Sequence, residues 1–189
     1  MLIDFTIRNF MSYRDEVSLS MVASTTVKEC EGNNGTSNVS VIDNNKRILR
    51  TAAIYGANGS GKSTVIAAMD IFKAMTLQSF VDENIVKRLS NLYYHFDKAS
   101  VNGPISMQMI FVCNEERYRY GFEIKQGKVL TEWLYVLLKG STKESYCFKR
   151  DGQDIKVNSK VMKGTRGVTS KTRSNALFLS TSAQFNVEM

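Results

Sequence analysis

From Gly56 to Thr64 the chain reads Gly-Ala-Asn-Gly-Ser-Gly-Lys-Ser-Thr, a glycine-rich run that ends in a lysine and two hydroxyls. An apolar stretch precedes it and a stretch with helical periodicity follows. The pattern therefore predicts a buried strand, a tight loop and a helix in that order. Glycines at 56, 59 and 61 permit backbone conformations that side chains block, so successive amides can converge on one anion. The amino terminus of the next helix adds partial positive charge. Lys62 can reach the terminal phosphates of a nucleoside triphosphate. Ser63 can place its hydroxyl on Mg²⁺, and Thr64 can offer amide and hydroxyl to the α-phosphate. The candidate site is Gly56, Asn58, Gly59, Ser60, Gly61, Lys62, Ser63 and Thr64, with ATP and Mg²⁺ as the expected ligands.

The flanks define an α/β chain. Leu2 to Phe10 alternates as a strand, a second short strand falls near Val17 to Val22, and Ile48 to Tyr55 reads as the buried strand that enters the loop. Between Glu31 and Asn45 the composition turns to Gly, Asn, Ser and Asp, interrupted by Val39 to Ile42. Ser63 to Val81 is the clearest helix: Val65, Met69, Phe72 and Met75 recur at three- and four-residue steps, and Ile66, Leu77 and Phe80 widen the stripe. After Pro104, period-two runs separated by Asn114-Glu115-Glu116, Gln126-Gly127 and Asp151-Gly152 predict an antiparallel meander. Lys160 to Asn175 lacks apolar periodicity after Met162 and reads as a mobile loop, and Ala176 to Ser180 as a further buried strand.

Composition narrows the alternatives. A chain of 189 residues with 43% hydrophobic content can build one substantial core. Cys30, Cys113 and Cys147 form no C-x-x-C pair, and His95 is the single histidine, too few ligands for a Cys/His zinc site. The three thiols read as reduced and packed, as in a cytoplasmic protein. The start of the chain lacks a basic leader with an apolar stretch, and no run is long enough to span a membrane. The formal charge of +7 is concentrated between Lys139 and Arg173, where ten basic residues meet three acids. Such a segment, within a basic and partly flexible stretch at 139–175, suits DNA or RNA, or else a solvated basic loop.

Asn58-Gly59-Ser60-Gly61-Lys62-Ser63-Thr64 resembles the phosphate loop of ABC-type ATPases. Ile7-Arg8-Asn9-Phe10-Met11-Ser12-Tyr13 is similar to the opening strand and turn of the RecF and structural-maintenance-of-chromosomes ATPases. With Asp15-Glu16, Leu19 to Ala23, Asn175 to Ser180 and Ala183 to Asn186, the chain looks most like bacterial AAA-family ATPases grouped with the overcoming-lysogenization-defect proteins. That resemblance implies an ABC-type head across 1–189, in which two nucleotides lie between two heads. It implies roles in phage defence or DNA repair, often beside a nuclease. It also places Gln184 as a glutamine linking the metal site to the moving part, and Arg8 and Ser12 as phosphate or base contacts.

Other family features are missing. No apolar run ends in Asp-Glu; Met109 to Glu115 has no aspartate at the metal position, and Leu179 to Gln184 lacks the glycines of an ABC signature. The expectation is thus an incomplete head, its amino-terminal lobe, inactive in hydrolysis by itself. Two alternatives stand beside it. One is a non-catalytic module that binds nucleotide and nucleic acid. The other is a phosphate-loop kinase or GTPase, for which Asn44-Asn45-Lys46 is not the required base-reading motif.

Overall fold

Strand β1 (Leu2–Arg8) turns Ile3, Phe5 and Ile7 into the core, as its alternation requires. The computed structural model describes residues 1–24, 38–42 and 46–188. Cys30 and most of the Gly/Asn/Ser-rich stretch at 31–45 lie outside the described residues. On one side β1 pairs with β2 (Val17–Ser20), and on the other with β5 (Ile105–Cys113). From β5 the sheet continues through β6 (Glu116–Lys125), β7 (Lys128–Leu137), β8 (Ser145–Asp151) and β9 (Asp154–Val157). The order is β2-β1-β5-β6-β7-β8-β9, and every neighbouring pair is antiparallel. The meander expected after Pro104 is present. Its first hairpin turns at Asn114 and Glu115 and its second at Gln126 and Gly127, all four with positive φ, the geometry that matches the twist of tight hairpins.

Helix α1 (Lys62–Gln78) lies across the sheet. Phe72 is its anchor, with ring centroids 5.6 Å from Phe5, 5.7 Å from Tyr120 and 5.3 Å from Phe122. Val65, Ala68 and Met75 join it in the core, whereas Ile66 and Leu77, expected in the same stripe, face outward. A two-stranded hairpin, β3 (Val39–Ile42) with β4 (Lys46–Leu49), is seated on the edge by a cluster of Ile3, Met21 and Ile48. Helices α2 (Ile85–Ser90) and α3 (Lys98–Asn102) connect α1 to β5.

Three expectations are corrected. The strand expected at Ile48 to Tyr55 stops at Leu49; residues 51–57 are exposed and carry no ladder. The loop expected at Lys160 to Asn175 is packed, with Met162 and Val168 buried and a turn of helix, α4 (Val168–Lys171). Two apolar anchors six residues apart hold it, a spacing that shows no strand or helix period. Finally, the strand expected at Ala176 to Ser180 is instead the start of helix α5 (Phe178–Gln184).

The cause of that last difference is in β7. Glu123 pairs with Thr131 but Ile124 with Val129, so β7 carries one extra residue there. The bulge switches the inward parity from Val129 to Glu132 and turns a carboxylate into the core. Glu132 accepts from the amides of Phe178 (2.6 Å) and Leu179 (3.0 Å), the uncapped start of α5, and from the Tyr120 hydroxyl (3.0 Å). Arg150, also fully buried, stands 3.5 Å away and donates to the carbonyls of Gly152, Arg173 and Ala176. Burial pushes the Glu132 carboxyl above its ordinary range and the Arg150 guanidinium below its own; the opposite charges and the amide donors counter this.

Candidate functional site

The glycine-rich loop is held from one side by the turn that ends β1. Phe10 and Tyr13 exchange main-chain hydrogen bonds, and the amide of Met11 donates to Leu92 O, which fixes a tight turn over 9–14. Asn9 locks it from within. Its side chain is buried, donates to the carbonyls of Ser100, Gly103 and Pro104, and accepts from the amide of Tyr94. The turn then presents Ser12 and Tyr13 to the loop. Tyr13 donates to Gly61 O at 2.9 Å, and the Ser12 hydroxyl lies 2.9 Å from the Thr64 hydroxyl.

Gly61 caps the start of α1 in the left-handed region, φ 88°. No acidic side chain occupies the first turn of α1. The amides of Lys62 and Ser63 fall at the positions where helical geometry supplies no acceptor, while that of Thr64 already donates to Gly61 O. A cavity of about 380 Å³ is lined by Ser12, Asn58, Gly59, Gly61, Lys62, Ser63 and Thr64. Lys62 Nζ donates to Gly56 O (2.8 Å) and Ala57 O (2.6 Å), so the cation closes the loop on itself. Gly56 packs against Ser60, whose hydroxyl lies 2.8 Å from where a side chain at 56 would begin. Ser63 is exposed. First-turn amides, a mobile cation and an exposed hydroxyl around one cavity suit a polyanion.

The structure thus brings Ser12 to the loop residues, but neither Arg8 nor Gln184. Arg8 pairs with Glu123 at 2.9 Å and does not line the cavity. Gln184 ends α5, which packs at the far end of α1: Phe80 donates to Ser180 Oγ, and the Phe80 and Phe185 rings are 5.9 Å apart. Since α1 is about 25 Å long at 1.5 Å per residue, Gln184 does not share a metal with Ser63 in this structure. Thr64 Oγ1 is committed to Ser12. His95 is exposed against Tyr93, 4.4 Å between rings. Among the described residues no cluster of three His, Cys, Asp or Glu could hold a metal ion. Sequence reasoning missed Asn9 and Tyr13, although both fall inside the stretch Ile7 to Tyr13 that carries the family resemblance.

A mixed α/β fold with a largely antiparallel sheet, and a glycine-rich loop opening a helix, define a domain of the phosphate-loop ATPase type. The chain belongs to the family described as "AAA domain, putative AbiEii toxin, Type IV TA system", whose model matches residues 52–182, more than half of its length. The family is one of nucleotide-binding, ATPase-like domains. No curated protein matches the chain. No helix among the described residues is long and apolar enough to cross a membrane.

Proposed function

We propose that this chain binds ATP with Mg²⁺ through Gly56 to Thr64, as the amino-terminal lobe of an ABC-type ATPase head. The observation that carries the reading is Lys62: among the described residues its ammonium is held only by two neutral carbonyls at the edge of the cavity. Phosphate oxygens offer charge-assisted bonds in exchange, roughly twice as strong as neutral ones. The first-turn amides of α1 receive the same anion, and the hydrogen bond from Tyr13 holds Gly61 at the start of the helix. Ser63, exposed beside Lys62, is the residue that would hold Mg²⁺. Bound there, the metal would neutralise charge on the phosphate oxygens.

The exposed apolar surface supports an incomplete head. Ile54 and Tyr55, in the segment that enters the loop, are exposed, as are Ile66 and Leu77 on α1. A cavity of about 770 Å³ between α1 and strands β5 to β7 is lined chiefly by Met69, Phe72, Leu77, Met109, Phe111 and Tyr118. Further polypeptide laid along this face would add a strand beside 51–55 and bring the acidic residues that hydrolysis requires. A second head and a partner nuclease fit the resemblance to RecF- and overcoming-lysogenization-defect-type ATPases, with phage defence or DNA repair as the setting. The family description adds a toxin of a toxin–antitoxin pair as a role within defence.

Calorimetric titration of ATP with and without Mg²⁺ tests the site. Lys62→Ala is expected to weaken binding about tenfold to a hundredfold, for a loss of about 1.5–3 kcal/mol in charge-assisted contacts. Ser63→Ala should instead flatten the Mg²⁺ dependence. Equal affinity of parent and Lys62→Ala would remove the loop from the site.

A further inference from the structure

At the opposite end of α1 from the glycine-rich loop lies a polar cleft of about 720 Å³. Three separate chain segments wall it: α2 with its flanking residues, the β6–β7 turn, and residues 173–175. They are tied together by hydrogen bonds. The Gly127 amide donates to Ser90 Oγ at 2.8 Å, Asn175 Nδ2 to Glu83 O at 3.0 Å, and the Val129 amide to Ser174 O at 2.8 Å. A side chain begun at Gly127 would lie within 4 Å of the base of Lys87, so glycine lets the turn sit close to α2. We propose that this cleft binds the phosphodiester backbone of a single strand of nucleic acid.

The chemistry of the walls selects that ligand. Lys87, Lys128 and Arg173 contribute three cations, and Asn84, Asn91 and Gln126 contribute amide donors. Glu83 is the one acid in the lining, and it is already paired with Arg173 at 3.1 Å, leaving a net positive cleft. Arg173 Nε is shielded from solvent and has no acceptor among the described residues, although the two terminal nitrogens are engaged with Glu83 and Phe80 O. Among the described residues no aromatic ring lines the cleft, so bases find nothing to stack on and sequence is not read. A concavity of this size receives one strand. The basic stretch at 160–171 lies outside the lining. Among the ten basic residues of the charge excess, Arg150 is buried in the core and Lys139 and Lys156 are paired with Glu115 and Asp154, so the nucleic-acid surface is not simply the run of basic residues.

The test measures fluorescence anisotropy of a labelled oligothymidylate with the intact chain over a range of salt. The comparison is between the parent, Lys87→Gln/Lys128→Gln, and a control, Lys160→Gln/Lys163→Gln. All four lysines are exposed, so the fold should survive, which a melting curve checks. The cleft variant is expected to bind about tenfold or more weakly at low salt, and its plot of log K against log[salt] to be shallower by about 1.4 units, the value for two lost contacts on a single strand. The control should match the parent. An unchanged affinity and slope in the cleft variant, or a loss confined to the control, overturns the proposal. So does complete displacement of the oligonucleotide by inorganic phosphate, which marks a free-anion site, or by polyglutamate at equal charge, which marks a general polyanion site. ATP affinity measured on the same variants should be unchanged, so this inference and the nucleotide site stand or fall separately.

Discussion

Gly61 meets two separate demands. Its φ of 88° belongs to the region that glycine adopts without cost, and a Cβ there would lie 3.0 Å from both Ser12 Oγ and Tyr13 Oη. Gly61→Ala is therefore expected to push the opening turn off the loop and to weaken ATP binding at least as much as Lys62→Ala does, with little change in far-ultraviolet circular dichroism. Tyr13→Phe is the milder probe. It removes one hydrogen bond to Gly61 O and should lower stability by about 0.5–1.5 kcal/mol in urea denaturation. The glycine spacing made the loop itself legible in the sequence. The brace was not, because Ser12 and Tyr13 are about fifty residues distant and reach the loop through a turn held by long-range bonds of Asn9 and Met11. The two described cysteines part in the same way: Cys113 is exposed, while Cys147 is buried and its thiol is pushed up to about 12 by desolvation. Iodoacetamide at neutral pH should label Cys113 and spare Cys147 until the chain is unfolded, as peptide mapping would read.

Helix α5 exists because a buried carboxylate receives it. Ala176-Leu177-Phe178-Leu179-Ser180 is equally compatible with a strand and a helix by periodicity, and local sequence cannot decide between them. The decision is made by Glu132, which binds the first two amides of α5, and by Arg150, which ties down the carbonyls before it. The bulge that turns Glu132 inward leaves no mark on the alternation of β7, so this element was misread where the meander around it was legible. Glu132→Leu is expected to cost about 3–5 kcal/mol, since it leaves Arg150 buried without its partner and two amides and a tyrosine hydroxyl without an acceptor. Glu132→Gln keeps an acceptor oxygen and should cost less. Equilibrium urea melts of the two variants order them, and equal midpoints would show that the charge, not the amide contacts, carries the effect.

At the scale of the whole molecule, a packed antiparallel layer is joined to a loop face that exposes apolar side chains. The sheet is closed on its core side by α1, α2, α4 and α5, with Phe72, Phe122, Met75 and Phe178 fully packed. Across the loop the position is reversed. Residues 51–55 are exposed although they end a stretch, Ile48 to Tyr55, that reads as a buried strand, and Ile54, Tyr55, Ile66 and Leu77 face solvent. Period and propensity describe the state in which a segment is stable, and on the proposed reading of an incomplete head this one awaits a neighbouring strand. Two consequences follow for the isolated chain. Amides of 52–55 should exchange with deuterium about as fast as an unfolded peptide, whereas those of β5 to β7 stay protected. ATP turnover should be near background, because the cavity offers amides, Lys62 and Ser63 but has no carboxylate in its lining to orient water. Both measurements are then repeated with candidate partner proteins added. Simultaneous protection of 52–55 and appearance of turnover sensitive to Lys62→Ala would mean that one added surface completes both strand and catalyst. Steady turnover by the isolated chain, also lost in Lys62→Ala, would instead locate the catalytic acid within these 189 residues.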